Sequence, residues 1–273
     1  MQLDFFISRA EEFGWFLATG LALWLLGRMF FVSRPPAFLT RELLIDSLYH
    51  LLTPLYGLVM LVLFSLLMVP LVGAEAVATR LMQGAEPIAA WPLWQQMLSF
   101  LLLRDLAQYW IHRALHRPSL WHYHAVHHAP EELAWHHAYR FHPVNYLLYV
   151  TLVDLALYAL GYPVTTMLLL FPMLGMFSLF VHSNLRWTYG PLRYVLTSPV
   201  FHRWHHSAEA AAQGKNFAPN FPFIDLIFGT FYMPRAALPA TVGIAGGDVP
   251  RGFLGQLAYP FVKAFGVKNP SHS

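Results

Sequence analysis

The sequence predicts an all-α fold: a multi-pass integral membrane helix bundle of about five spans, carrying a histidine-rich helical cap. Three observations predict it. Hydrophobic residues make up 57% of the 273 residues and charged residues only 11%, against about 25% charged in soluble domains. The apolar residues gather in runs long enough to cross a bilayer, which takes roughly 20 residues. Most of the 15 histidines fall in tight groups at the ends of those runs. The formal net charge of +3 is too mild, and the arginines too scattered, for a nucleic-acid partner. The absence of cysteine excludes disulfides, thiolate-bound zinc and Cys-ligated iron–sulfur clusters within the chain. Electrons for any redox chemistry must then come from a separate donor protein.

The N-terminal Met-Gln-Leu-Asp lacks the basic stretch of a signal peptide, so the run from Gly14 to Val32 is expected to be retained as the first span. Arg28 lies near its end, where it can snorkel to the interface. A polar connector with Arg34, Pro35, Pro36, Arg41, Glu42 and Asp46 leads to a second span over Leu48 to Val72. Gly73 to Pro87 is small and polar and reads as a loop. A third apolar segment, Trp91 to Ile111, runs directly into His112 and carries Arg104 and Asp105 near its end. Intramembrane charges are functional candidates. Asp105 stands seven residues before His112 on roughly the same face, so it is read either as orienting a ligand imidazole or as pairing with an arginine.

Val144 to Val181 is apolar again, broken by Gly161-Tyr162-Pro163. One overlong helix or a hairpin of two short spans would fit. The histidines before and after this stretch must meet on one side of the membrane, which requires an even number of crossings, so the hairpin is expected. Asp154 within it is read as a polar partner in the bundle or as a group steadying a ligand. After His206 the chain turns polar and loop-like and ends in a Pro/Gly-rich tail. Arg28, Arg34 and Arg41 against Arg9 and Arg80 place the histidine side in the cytoplasm by the positive-inside rule, with the N-terminus outside.

The histidines supply the chemistry. His112 and His116 are four apart; His124, His127 and His128 form H-x-x-H-H, and His202, His205 and His206 repeat it. Residues three and four apart share a helix face, and neutral imidazole is the commonest side-chain metal ligand. Eight imidazoles, nine with His182, exceed one four-coordinate site and suit two ions. Such a set can hold iron, zinc, manganese or copper, and iron does not win on affinity alone. The ligands sit where apolar spans emerge, so the expected substrate is a lipid. Its C–H bonds offer nothing to hydrolysis, whereas redox-active iron with O2 can attack them and zinc cannot.

Two rivals stand beside this. A histidine-rich metal transporter or store predicts ligands spread along the spans. A zinc hydrolase needs a carboxylate base, and no H-E-x-x-H occurs. His50 and His272 are expected to be ordinary hydrogen-bonded residues, and His122 lies off the face of His124. His136 and His137 are read as structural or substrate-lining. Trp110, Trp121, Trp135, Trp187 and Trp204 are read as an interfacial belt and packing.

The run D-L-A-Q-Y-W-I-H-R-A-L-H-R-P-S-L-W-H-Y-H-A-V-H-H, followed by R-F-H-P, H-S-N, F-H-R-W-H-H and D-L-I-F-G-T, resembles the fatty acid hydroxylase/sterol desaturase superfamily. The similarity spans roughly Asp105 to Thr230. It implies a membrane di-iron, O2-dependent enzyme that hydroxylates a fatty acyl, sterol or related lipid, with desaturation the close alternative. It implies ligands at His112, His116, His124, His127, His128, His202, His205 and His206, a ninth at His182 of H-S-N, and a further candidate at His142 of R-F-H-P. Asn184 and Asp225, beside these motifs, are candidates for orienting the ligands.

The resemblance further implies residues 1–96 as an N-terminal transmembrane region, 97–235 as the catalytic domain with hairpin 144–181, and 236–273 as a tail. A bacterial cytoplasmic membrane is the expected location, and zinc is an expected substitute for iron in purified protein. Two departures matter. Val144-Asn145 follow the His-Pro where many members have a Glu, which weakens any acidic role there. Arg117 follows His116, where the alkylglycerol monooxygenase branch tends to have Glu, which weighs against a pterin-dependent ether-lipid activity.

Overall fold

The computed structural model describes residues 2–30, 37–234 and 237–264. Val32, Arg34, Pro35, Pro36 and His272 lie outside the described residues, as does the side chain of Arg9. Among the described residues the chain is helical without a strand, apart from one isolated bridge between Ser207 and Val242.

Helix α1 (Gln2–Phe30) is followed by α2 (Arg41–Val72). The Thr40 side chain caps α2 by accepting from the Leu43 N–H at 3.0 Å, and Gly73 ends it at φ 85°. The segment read as a loop is instead a helix, α3 (Ala74–Gln83). Its small and polar residues are good helix formers bracketed by Gly73 and Gly84, and Val77 and Leu81 pack it against the core.

Helix α4 (Leu93–Leu115) follows, then α5 (Pro118–His128) and the membrane hairpin. The first arm of the hairpin is α6 (Pro143–Tyr149), a π-helical segment Val150–Asp154, and α7 (Leu155–Leu160); the second is α8 (Val164–Val181). The arms turn at Gly161, whose φ of 114° suits a residue without Cβ, and its carbonyl accepts from Ala85 N–H at 2.9 Å. Short helices α9 (Pro199–His205) and α10 (Phe223–Ile227) complete the cap. The tail, read only as Pro/Gly-rich, forms α11 (Phe253–Ala264). Tyr259 and Leu257 pack it against Ala125 and Val126 of α5.

Among the described residues four helices are long and apolar enough to cross a membrane, against the about five spans expected: Ala10–Phe30, Arg41–Val72, Pro143–Leu160 and Val164–Val181. Helix α4 falls short in composition because it is turned inside out. Leu98, Leu102, Leu106 and Trp110 are exposed along one side, while Gln96, Asp105, Gln108 and His112 are buried on the other. Yet α4 runs alongside α8. Near the Gly161 turn Thr166 donates to Gln96 Oε1 at 2.9 Å, and the far end of α4 delivers His112 to the cap. Arg104 Nε donates to Asp154 Oδ1 at 3.0 Å, so Asp154 is a partner within the bundle. Phe100, Tyr162, Met167 and Leu170 form the core around this seam.

Candidate metal centre

Each histidine is placed by a helix end. His112 closes the last turn of α4, and His116 is the residue after it. Pro118 starts α5 in the first turn, where a missing N–H costs nothing, and α5 carries His124, His127 and His128. Ser198 caps α9 by accepting from Phe201 N–H at 3.1 Å, which sets His202, His205 and His206. His182 follows the last residue of α8.

These nine residues separate into two groups. The donor atoms of His112, His116, His124, His128 and His205 lie within 4.8 Å of one another, and so do those of His127, His182, His202 and His206. The repeated H-x-x-H-H contributes crosswise. Its first copy gives the i, i+4 pair (His124, His128) to the five-histidine group and His127 to the other. Its second copy gives the pair (His202, His206) to the four-histidine group and sends His205 across.

Hydrogen bonds fix the tautomers. His112, His127, His182 and His205 donate Nδ1–H to the carbonyls of Phe217, Arg140, Ser178 and Lys215, at 2.7, 3.3, 2.7 and 2.9 Å. His124 donates Nδ1–H to Asn145 Oδ1 at 2.7 Å. A neutral imidazole has one N–H, so each of these turns a bare Nε2 lone pair inward. The Nε2 atoms of His112 and His124 stand 3.0 Å apart, and those of His127 and His182 3.4 Å.

Lone pairs at that distance repel unless a cation lies between them. Imidazole nitrogens about 2.1 Å from one ion lie about 3.0 Å apart at a right angle and about 3.4 Å apart at the tetrahedral angle. His116 Nε2, His205 Nε2 and His206 Nδ1 are also buried without a partner. The donor set therefore fits metal ions. Burial, and secondarily the neighbouring imidazoles, pushes the His124 pKa down to about 3. Burial likewise brings His182 and His205 to about 4. His116, His127, His128, His202 and His206 are lowered for the same reasons. At neutral pH the cage holds neutral, ligand-ready imidazoles.

The carboxylates expected to steady ligands act at one remove. Asp105 accepts from the N–H groups of Asn220 and Phe221, both at 2.9 Å, and from Asn220 Nδ2 at 2.7 Å. Asp225 accepts from the N–H groups of Phe217 and Ala218, both at 2.8 Å, and from Thr230 Oγ1 at 2.6 Å. Neither bonds an imidazole. Together they fix the loop whose Phe217 carbonyl orients His112. Asn184 Oδ1 accepts from Arg203 Nη2 at 2.7 Å, tying α9 to the turn after α8.

His142 lies outside both groups. Its Nδ1 accepts from Val144 N–H at 3.1 Å, and its Nε2–H donates to the Leu257 carbonyl at 3.0 Å, so it links the start of α6 to α11. His136, His137 and Asp46 form a third buried trio. His137 Nδ1 accepts from Ala134 N–H, which leaves the proton on Nε2, and His136 Nδ1–H donates to Asp46 at 2.5 Å. The trio has ligand residue types but only one bare imidazole nitrogen. Sequence reasoning missed Asn145, which is fully buried and orients His124. The signal was its place just after His-Pro, noted only as a missing acid.

Residues 97–230 match the fatty acid hydroxylase family. The chain is 35% identical over 172 residues to ornithine lipid hydroxylase OlsE of Rhizobium tropici, covering 63% of this chain and 52% of that one. It is 30% identical over 158 residues to very-long-chain aldehyde decarbonylase GL1-11 of Oryza sativa subsp. indica, covering 55% and 57%. Human alkylglycerol monooxygenase is 28% identical over 128 residues, covering 46% and 28%. The chain thus spans about half the length of the first of these relatives. No solved structure matches it. Through residues 97–230, which carry all nine caged histidines, the chain belongs to the fatty acid hydroxylase family.

Proposed function

We propose that the chain is an O2-dependent hydroxylase of a membrane lipid, working with two iron ions. His112, His116, His124, His128 and His205 would hold one, and His127, His182, His202 and His206 the other. The observation that carries this reading is the set of bare Nε2 lone pairs turned towards each other at 3.0 and 3.4 Å in a buried cap. Redox-active iron would supply the O2 chemistry that an unactivated C–H bond requires. In the overall reaction one oxygen atom enters the lipid as hydroxyl and the other leaves as water, with two electrons and two protons from a separate donor protein.

The chain's own residues keep the imidazoles neutral by burial and fix their tautomers through backbone carbonyls and Asn145. Neither group contains a carboxylate among the described residues, which disfavours a metal hydrolase that needs a base. The donors gather at helix ends rather than along the spans, which disfavours a transporter. The exposed leucines of α4, Leu98, Leu102 and Leu106, run along the helix about two to four turns before His112 and favour a substrate that arrives sideways from the bilayer. The cap is assigned to the cytoplasmic side, in a bacterial cytoplasmic membrane.

The test is to load the metal-free protein anaerobically with ferrous iron, then add a lipid extract, a reductant and O2. The expected result is two irons per chain and a lipid heavier by one oxygen atom. A product lighter by two hydrogens would make the chain a desaturase with the same centre. Metal flux across vesicles without lipid change would overturn the enzyme reading, and zinc carried through purification is to be stripped first.

A further inference from the structure

Helix α2 contributes no caged histidine, yet one of its residues is linked to the cage through Arg140. Asp46 is fully buried on α2. Its Oδ1 accepts from Arg140 Nε at 2.5 Å and its Oδ2 from His136 Nδ1 at 2.5 Å, with His137 Nε2 at 3.7 Å. Glu42 stands one turn earlier on the same face and accepts from Arg140 Nη2. Two carboxylates thus clamp one guanidinium, in a fork geometry that fixes the whole residue. The carbonyl of Arg140 in turn accepts the Nδ1–H of His127 at 3.3 Å.

The geometry points to Asp46 as a positioning residue for the four-histidine group. It sets the Arg140 carbonyl, and that carbonyl keeps the His127 proton on Nδ1 and its Nε2 aimed at His182. The inference rests on the two-ion reading above. Its consequence is selective. Of the nine caged histidines His127 is the one that bonds the Arg140 carbonyl, whereas His112, His124 and His205 take their orientation from Phe217, Asn145 and Lys215. Loss of the clamp should weaken one ion and spare the other. Groups that orient metal-bound imidazoles typically change affinity by about ten- to a hundredfold.

The test is a cobalt(II) titration of the metal-free full chain in detergent, following the visible absorption of the bound ion. Wild type is expected to take up two ions. Asp46→Asn is expected to bind one ion with wild-type affinity and the second about ten- to a hundredfold more weakly, and Asp46→Glu should restore much of the difference. In a His202→Ala background, Asp46→Asn should leave the remaining ion unchanged. A merely structural role would weaken both ions together. That outcome in folded protein, or two ions bound as in wild type, would overturn the inference. Wild type taking up a single ion would overturn the two-ion reading and this inference with it. Should Asp46→Asn not fold, Glu42→Gln, at a side chain 39% exposed, is expected to weaken the second ion in the same selective way, and no change there would also overturn it.

Discussion

Asn145 offers the sharpest perturbation of the cage. Its Oδ1 accepts the Nδ1–H of His124 at 2.7 Å, with both residues fully buried. Alanine would leave that N–H without a partner in a dry site, at a cost of about 1–3 kcal/mol. The imidazole can escape by moving its proton to Nε2. That nitrogen, however, faces His112 Nε2 at 3.0 Å and His128 Nε2 at 3.1 Å and is the proposed ligand atom. At about 1.4 kcal/mol per tenfold, Asn145→Ala should therefore weaken the ion in the five-histidine group by about ten- to a hundredfold. Asn145→Asp separates this account from simple cavity damage. The wild-type Nδ2 is buried with no partner, so a carboxylate drops an orphan donor and gains a charge-assisted bond to the same N–H. Aspartate should hold the ion at least as tightly as asparagine. Chelator competition on folded protein, with metal content counted per chain, reads both variants. Wild-type affinity in Asn145→Ala, or equal losses in the alanine and aspartate variants, would refute the tautomer argument.

Further outcomes follow from burial and charge. His124, His182 and His205 titrate near 3, 4 and 4 when folded, against about 6.5 in an unfolded chain. Between about pH 6.5 and 4 the unfolded chain binds more protons, so metal-free protein should lose stability as pH falls through that window; a flat melting temperature between pH 7 and 5 would contradict it. A Cβ on Gly20 would sit 2.2 Å from Trp135 Cη2, whereas one on Gly27 meets nothing within 4 Å. Gly20→Leu should cost about 1–3 kcal/mol and Gly27→Leu little, read from thermal unfolding in detergent. Arg104→Leu strands Asp154 inside the bundle and should cost about 3–5 kcal/mol. The double variant Arg104→Leu/Asp154→Leu should recover most of that loss.

The periodic features were legible because their physics is local. Helix spacing puts His124 on one face with His127 and His128, and His202 with His205 and His206, though the structure alone selects the i, i+4 pairs, and the need for an even number of crossings is enough to choose a hairpin turning at Gly161. Helix α4 was legible as the third apolar segment leading into His112, but not which of its faces is buried. The charges and glutamines of α4 lowered its apolarity although they face inward, and its leucines face outward. Ala74–Gln83 looked like a loop because its residues are small and polar on average, although Val77 and Leu81, four apart, mark one apolar helix face. The orienting groups were the least visible. Four are backbone carbonyls, of Phe217, Arg140, Ser178 and Lys215, and a carbonyl leaves no mark in a sequence. Asp105 looked aligned with His112 by spacing, yet its carboxylate faces the loop at Asn220 and Phe221 and influences the imidazole only through that loop.

The crossed contribution of the two H-x-x-H-H segments has a structural consequence of its own. Were each segment to serve one ion, α5 and α9 could each bind a metal alone and the hairpin between them would be a mere connector. Instead, α5 lends His127 to the group dominated by α9, and α9 lends His205 to the group dominated by α5. Neither group is complete until both helices are in place. They meet only when α8 has returned the chain to the cap, where it adds His182 to the four-histidine group. With ions bound as proposed, ligation free energy would be realised together with the packing of the hairpin. On the two-ion reading the cage and the membrane bundle would form together, whereas Asp46 on α2 would bear on the four-histidine group alone, through Arg140 and its carbonyl on His127.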